Sequence, residues 1–317
     1  MLHRLNPLQI PSYLSIALLC CIASFLTPHG TITIDEGAYY LATKAFTDSG
    51  SLSLQNGLTK SIGFEIIGAK PIVEYVGEHL YSQYPPGHAI LSSPLYALFG
   101  LSGLFLVNGI ATALILILTF LIAQNIYSSK REGYIASALA LVACPSLLYA
   151  SSVWPHALSS SLILLTYFIL FHRQNNPFSP LVSGLVAGVA LLIRLDSAIP
   201  LFALDISLLL ATPLRINLKR LSLFTLGSLP ALLALCILNS YKYGFFSPLV
   251  YGVDGHGSLL RSLPFLVVTI TALTILLFFF HWLSRREITL SDKASLLGVL
   301  AALLLAILTT PESLKKL

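Results

Sequence analysis

The chain has 317 residues, of which 56% are hydrophobic and only 10% charged, with a formal net charge of +5. Its mean hydropathy is +0.84. No water-soluble domain of this length has that composition, so the chain reads as a polytopic membrane protein whose architecture is set by the bilayer. The basic residues cluster between apolar runs, as in cytoplasmic loops, and aromatic-interleaved basic patches are absent, which excludes nucleic-acid binding.

In chain order, His3 and Arg4 precede a first apolar segment, Ser12 to Thr27. It lacks a small-residue cleavage site before His29, so it is expected to be an uncleaved helix with a cytoplasmic N-terminus. Pro28 to Tyr84 then lies outside and is the longest polar stretch of the chain, with Asp35, Glu36, Asp48, Glu65, Glu74 and Glu78 among its residues. Two of them are adjacent, in the run Gly30-Thr31-Ile32-Thr33-Ile34-Asp35-Glu36-Gly37, although only 13 residues in the whole sequence are Asp or Glu. A carboxylate at a membrane face can act as a general base. Asp35 with the residues after it also has the composition of a helix N-cap and first turn, so the pair supports both readings.

Pro86 to Gln124 is almost wholly apolar and about twice the length of one span. Lys130 and Arg131 follow it, and reaching the cytoplasmic side from outside takes an odd number of crossings. The simplest solution is one crossing, Leu101 to Gln124, preceded by a short interfacial helix from Gly87 to Phe99. Pro85 and Pro86 suit its start and Gly100 its end. Further crossings are expected at Gly133–Ser151, Ala157–Phe171, Leu181–Ile193, Ser197–Ala211, Leu221–Asn239, Arg261–Leu283 and Ala294–Thr310, giving about nine in all. Leu181–Ile193 and Ser197–Ala211 are short for full crossings and suit tilted half-helices or a hairpin dipping from one face. Gly184 and Gly188 form a small-xxx-small pattern for close helix packing. Nothing here predicts a separate soluble domain, and the chain reads as one unit over residues 1–317.

The expected topology gathers polar residues from distant segments on the outer face. Arg194-Leu195-Asp196 stands between two apolar segments, where charges are costly unless paired or placed in a polar cavity. Arg194 suits a phosphate, because its planar fork forms charge-assisted bonds; a self-satisfied turn is the alternative. In Trp154-Pro155-His156, the tryptophan suits the interfacial belt and the histidine a phosphate or sugar hydroxyl. Tyr81-Ser82-Gln83-Tyr84-Pro85-Pro86-Gly87 offers hydroxyl, amide and aromatic surfaces to a sugar. Asp205 lies in an apolar run and reads as solvated or paired near the cytoplasmic end of its helix. Cys20, Cys21, Cys144 and Cys236 have no CxxC spacing and read as small hydrophobes. The first-loop acids leave a divalent cation open, without a dedicated ligand set.

These segments resemble the membrane-embedded GT-C glycosyltransferases, close to the protein O-mannosyltransferases and aminoarabinose lipid A transferases (glycosyltransferase family 39-like). The matching pieces keep the order of that family over roughly residues 10 to 255. They are Asp35-Glu36-Gly37 with Tyr39-Tyr40, Tyr81 to Gly87, Val107-Asn108-Gly109, Trp154 to Ala157, Gly184 through Asp196, and Asn239 to Pro248. The resemblance implies an all-α transmembrane bundle whose first outer loop, residues 28–100, carries interfacial helices. It implies inverting transfer of a sugar from a polyprenyl-phosphate donor at the outer face of the plasma (inner) membrane to a lipid, glycan or protein acceptor. By the same resemblance Asp35 is the general base with Glu36 beside it, Arg194 and His156 take the donor phosphate, and Tyr81, Gln83, Tyr84 and Asp196 touch substrate. Many members of that family are longer and carry a soluble outer C-terminal domain. Two other classes fit the composition: a lipid or solute transporter or flippase, for which no inverted repeat is visible, and a truncated non-catalytic membrane remnant.

Overall fold

The structure is a computed structural model that describes residues 10–26, 33–54, 72–172, 176–211 and 214–248. The chain divides into two compact units, Met1–Arg261 and Ser262–Leu317. The second unit, and with it the expected crossings Arg261–Leu283 and Ala294–Thr310, lies outside the described residues.

The first unit is mainly helical. Helix α1 (Ile10–Leu26) leads to α2 (Ile34–Ser49), a β-hairpin of β1 (Val73–Val76) and β2 (His79–Ser82), and then α3 (Gly87–Phe99) and α4 (Leu101–Tyr127). It continues through α5 (Lys130–Val142), α6 (Ser146–Ala150), α7 (His156–His172), α8 (Ser179–Ile193), a single 3-10 turn (Leu195–Ser197), α9 (Ala198–Ala211) and α10 (Leu214–Tyr243). Within the described residues, two helical segments are long and apolar enough to cross a membrane, Leu101–Tyr127 and Lys219–Tyr243. The others are short for a full crossing, α8 having 15 residues and α9 14.

Three expectations are corrected. The first outer segment is not purely helical, because β1 and β2 pair antiparallel with Val76 opposite His79. Gly77 takes φ +62° at the first position of the two-residue turn, a conformation that glycine adopts without a Cβ penalty. The expected span Gly133–Ser151 is interrupted. Helix α5 stops at Val142 and α6 restarts after Pro145, whose ring and missing N–H prevent a continuous helix. The N-cap of α2 is Thr33, two residues before Asp35. The short helix expected from Gly87 to Phe99 is present with those limits, and Gly100 turns the chain at φ +59°.

Close packing follows the small residues. Added methyl groups at Gly184 and Gly227 would strike the carbonyls of Phe224 and Leu181, and one at Gly188 would lie 2.7 Å from Ala231 Cβ. Helices α8 and α10 therefore meet backbone to backbone, as the small-xxx-small spacing anticipates. A methyl at Gly87 would run into the carbonyl of Leu192. That contact seats the first turn of α3 on the last turn of α8 and brings the Tyr84–Pro86 segment beside the Arg194 turn. An apolar cluster of Ala38, Tyr39, Tyr84, Leu104, Phe105 and Val153 joins α2 and α4 to the loops before α3 and α7.

Candidate active site

The first turn of α2 is held by a capping box. Thr33 Oγ1 accepts from the Glu36 N–H at 3.3 Å, and the Thr33 N–H donates to Glu36 Oε2 at 3.0 Å. Both orphan donors of the turn are thereby satisfied reciprocally. The other oxygen of Glu36, Oε1, accepts from the Val153 N–H at 3.0 Å across 117 residues of sequence. Glu36 is buried, at 2% exposure. Its carboxylate anchors the Ser152–Trp154 loop to the start of α2.

Thr33 rather than Asp35 caps the helix, so the Asp35 carboxylate has a different partner. It is half-buried, and its Oδ1 accepts from the Tyr84 hydroxyl at 2.8 Å. The Tyr84 ring is stacked on Tyr39, with centroids 4.6 Å apart and planes 17° apart. Tyr39 in turn meets His88 edge-on at 5.2 Å. The phenol that contacts Asp35 thus sits in a packed aromatic column.

A second group of residues forms at the start of α7 and the end of α8. Asn108, buried in α4, donates from Nδ2 to the carbonyls of Ser152 and Trp154 at 2.7 and 2.8 Å. Trp154 Nε1 donates to Thr33 Oγ1 at 3.1 Å, which ties this loop to the α2 cap. His156 lies flat against Tyr149, with centroids 4.4 Å and planes 1° apart. Arg194 Nη1 approaches His156 Nε2 at 2.8 Å. A guanidinium only donates, so the imidazole nitrogen facing it is an unprotonated acceptor. The same guanidinium grips Asp196 with two bonds, Nε to Oδ1 at 2.9 Å and Nη2 to Oδ2 at 2.5 Å. This bond with Arg194 holds the Asp196 carboxyl below its ordinary range, against a smaller opposing effect of burial. The Arg194 and Asp196 side chains are 22% and 56% exposed. Asp35 and His156 lie within electrostatic reach of each other.

The structure therefore brings Asp35, Tyr84, His156, Arg194 and Asp196 to one end of the bundle, with Glu36 and Trp154 linking their two loops. Tyr81 is placed differently. It is buried between Leu52 and Tyr243, and burial raises its phenol above the ordinary value. Gln83 is half-buried, and its N–H donates to the Ile72 carbonyl at 3.0 Å. Asp205 is on α9, away from this cluster. Among the described residues no group of three or more His, Cys, Asp or Glu side chains could hold a metal ion. The cysteines among the described residues are all free thiols.

Sequence reasoning did not single out Thr33, Tyr149 or Lys242, and it noted Asn108 only as part of a motif. The Thr33-x-x-Glu36 spacing was a readable sign of the cap. Contacts such as Asn108 with Trp154 have no local signature.

No protein-family model matches the chain, and no curated protein matches it. Among solved structures it is similar to the crystal structure of ArnT from Cupriavidus metallidurans bound to undecaprenyl phosphate, with a TM-score of 0.49 and 18% identity. The match covers 75% of this chain and 43% of that one, so the chain spans less than half the length of that protein.

Proposed function

We propose that the chain is an inverting membrane glycosyltransferase of the GT-C kind, taking a sugar from a polyprenyl-phosphate donor at the outer face of the plasma (inner) membrane. The N-terminus is cytoplasmic in this reading, and the acceptor is a lipid, glycan or protein hydroxyl or amine. One observation carries the proposal. A half-buried carboxylate, Asp35, and a partly exposed cation, Arg194, are remote in sequence, yet their partners Tyr84 and His156 bring them to the same end of an apolar bundle.

The reaction assigns a role to each group. Asp35 accepts the proton of the acceptor as the acceptor atom attacks the anomeric carbon. The bond from that carbon to the phosphate oxygen breaks, and the phosphate leaves with the electron pair. Arg194 stabilises the charge that grows on the phosphate, exchanging one or both bonds to Asp196 for phosphate oxygens. His156 orients the guanidinium and is free to turn toward the phosphate. Glu36 supports Asp35 by fixing the turn that carries it. Tyr84 holds the carboxylate, and Gln83 and Asp196 complete the substrate surface, while the buried Tyr81 packs behind it. Phosphate is a good leaving group, so a strong general acid is unnecessary.

The test is sugar transfer from a radiolabelled polyprenyl-phosphate donor in membranes carrying wild type or Asp35→Asn. The expected loss is about 10²–10⁴-fold, the usual worth of a general base. Full activity in Asp35→Asn removes Asp35 as the base.

A further inference from the structure

The reactions of the site leave one buried cation without a role. Lys242 closes α10 and is only 3% exposed. Its ammonium donates to the Ser82 carbonyl at 2.5 Å and to the Tyr84 carbonyl at 3.0 Å, across about 160 residues of sequence. It also lies 4.7 Å from the centroid of the neighbouring Tyr243 ring. The Tyr243 hydroxyl donates to the same Ser82 carbonyl at 2.8 Å. The end of α10 therefore grips the short main-chain segment from which Tyr84 reaches Asp35.

That segment needs outside donors. Pro85 and Pro86 follow it and supply no N–H. The Tyr84 N–H is already engaged by Ser82 Oγ at 3.2 Å. Burying an ammonium is costly unless its protons are well bonded, and an apolar side chain of similar length would fill the same space without that cost. What the ammonium adds is direction, because charge-assisted bonds to two carbonyls fix the segment on both sides of Gln83. Tyr84 then has little freedom. Its main chain is held by Lys242, its ring by Tyr39 and its hydroxyl by Asp35.

We propose that Lys242 is a positioning residue for Asp35, acting through the Ser82–Tyr84 main chain and the Tyr84 hydroxyl. Its catalytic consequence rests on the reading of Asp35 as the base; the coupling from Lys242 to Tyr84 does not. The test places 3-fluorotyrosine at position 84 of the full chain in nanodiscs and follows its fluorine resonance against pH. Asp35→Asn is expected to move both the resonance and the phenol titration. Lys242→Met is expected to move them in the same direction, and Lys242→Arg, which keeps charged donors, to restore them in part. If Lys242→Met leaves the resonance and titration at their wild-type values while Asp35→Asn shifts them, the proposal is overturned.

If Lys242→Met does not fold, Tyr243→Phe, which removes only the second bond to Ser82, takes its place. A smaller shift of the same sign then supports the proposal, and no shift counts against it. In the transfer assay Lys242→Met is expected to lower kcat by about tenfold to a hundredfold with KM for the lipid donor nearly unchanged. An unchanged kcat with a raised KM contradicts the positioning role. Full transfer by Asp35→Asn would sink the assignment of the base and leave the fluorine result to decide the coupling independently.

Discussion

The two sides of the candidate site are built in opposite ways. The acid side is assembled from remote parts of the sequence: Glu36 bonds to Val153, Tyr84 to Asp35, and Lys242 to Ser82 and Tyr84. Its supporting groups are buried, Glu36 at 2% and Lys242 at 3% exposure. The cation side is largely local. Arg194 and Asp196 are two residues apart, bonded to each other and partly open to solvent. A rigid acid side suits a group that must meet a reacting atom in one orientation, where small misplacements are costly in rate. A partly exposed ion pair suits a group that exchanges partners when a ligand arrives, because breaking it costs little.

On that contrast, substitutions on the acid side cost fold where they remove a buried support and rate where they touch Asp35, whereas those on the cation side cost ligand binding. The largest effect on stability is expected from Glu36→Ala. It leaves the Val153 and Thr33 N–H groups without their carboxylate, at about 1–3 kcal/mol for each buried donor. A fall of several degrees in the detergent melting temperature is the expected readout, and a wild-type melting curve would break the comparison. Next is Tyr84→Phe, which keeps the stacked ring and removes only the bond to Asp35. A drop of about tenfold in transfer rate, equivalent to roughly 1.4 kcal/mol, is expected with unchanged melting.

Arg194→Lys is expected to be milder in stability, since the lost fork is partly exposed, while weakening phosphate affinity because an ammonium cannot make the same paired bonds. The smallest effect concerns pH. Asp196 has a depressed folded-state value, so its tie to Arg194 contributes fully above the ordinary aspartate value of 3.8 and is lost as pH falls through the lower, folded one. Wild type and Asp196→Asn should therefore differ by a constant amount in melting temperature from pH 5 to 8 and converge only in stronger acid. A difference that changes between pH 5 and 8 would place another titrating group in the pair.

How much of this was legible in the sequence follows the same division. Arg194-Leu195-Asp196 stood out because charges between apolar runs are costly, and the pairing is two residues long. Helix α3 was readable from Pro85-Pro86 at one end and Gly100 at the other. The start of α2 was placed two residues late, because the adjacent acids outweighed the Thr33-x-x-Glu36 signature. The β-hairpin was also missed, although Val73-Glu74-Tyr75-Val76-Gly77-Glu78-His79-Leu80 alternates as strands do around a turn glycine. Whole-chain hydrophobicity had pointed to helices alone. The grip of Lys242 on Ser82 and Tyr84 could not be read at all. No pattern within α10 distinguishes a lysine that reaches back across the fold from one that caps a cytoplasmic helix end.

The most direct test of the division of labour is equilibrium binding of undecaprenyl phosphate, which carries the phosphate without a sugar, to purified wild type, Arg194→Gln and Asp35→Asn. The account predicts that Arg194→Gln weakens binding by about tenfold or more, as expected for a lost charge-assisted contact, while Asp35→Asn binds as wild type does. Wild-type affinity in Arg194→Gln, or a loss confined to Asp35→Asn, would contradict it.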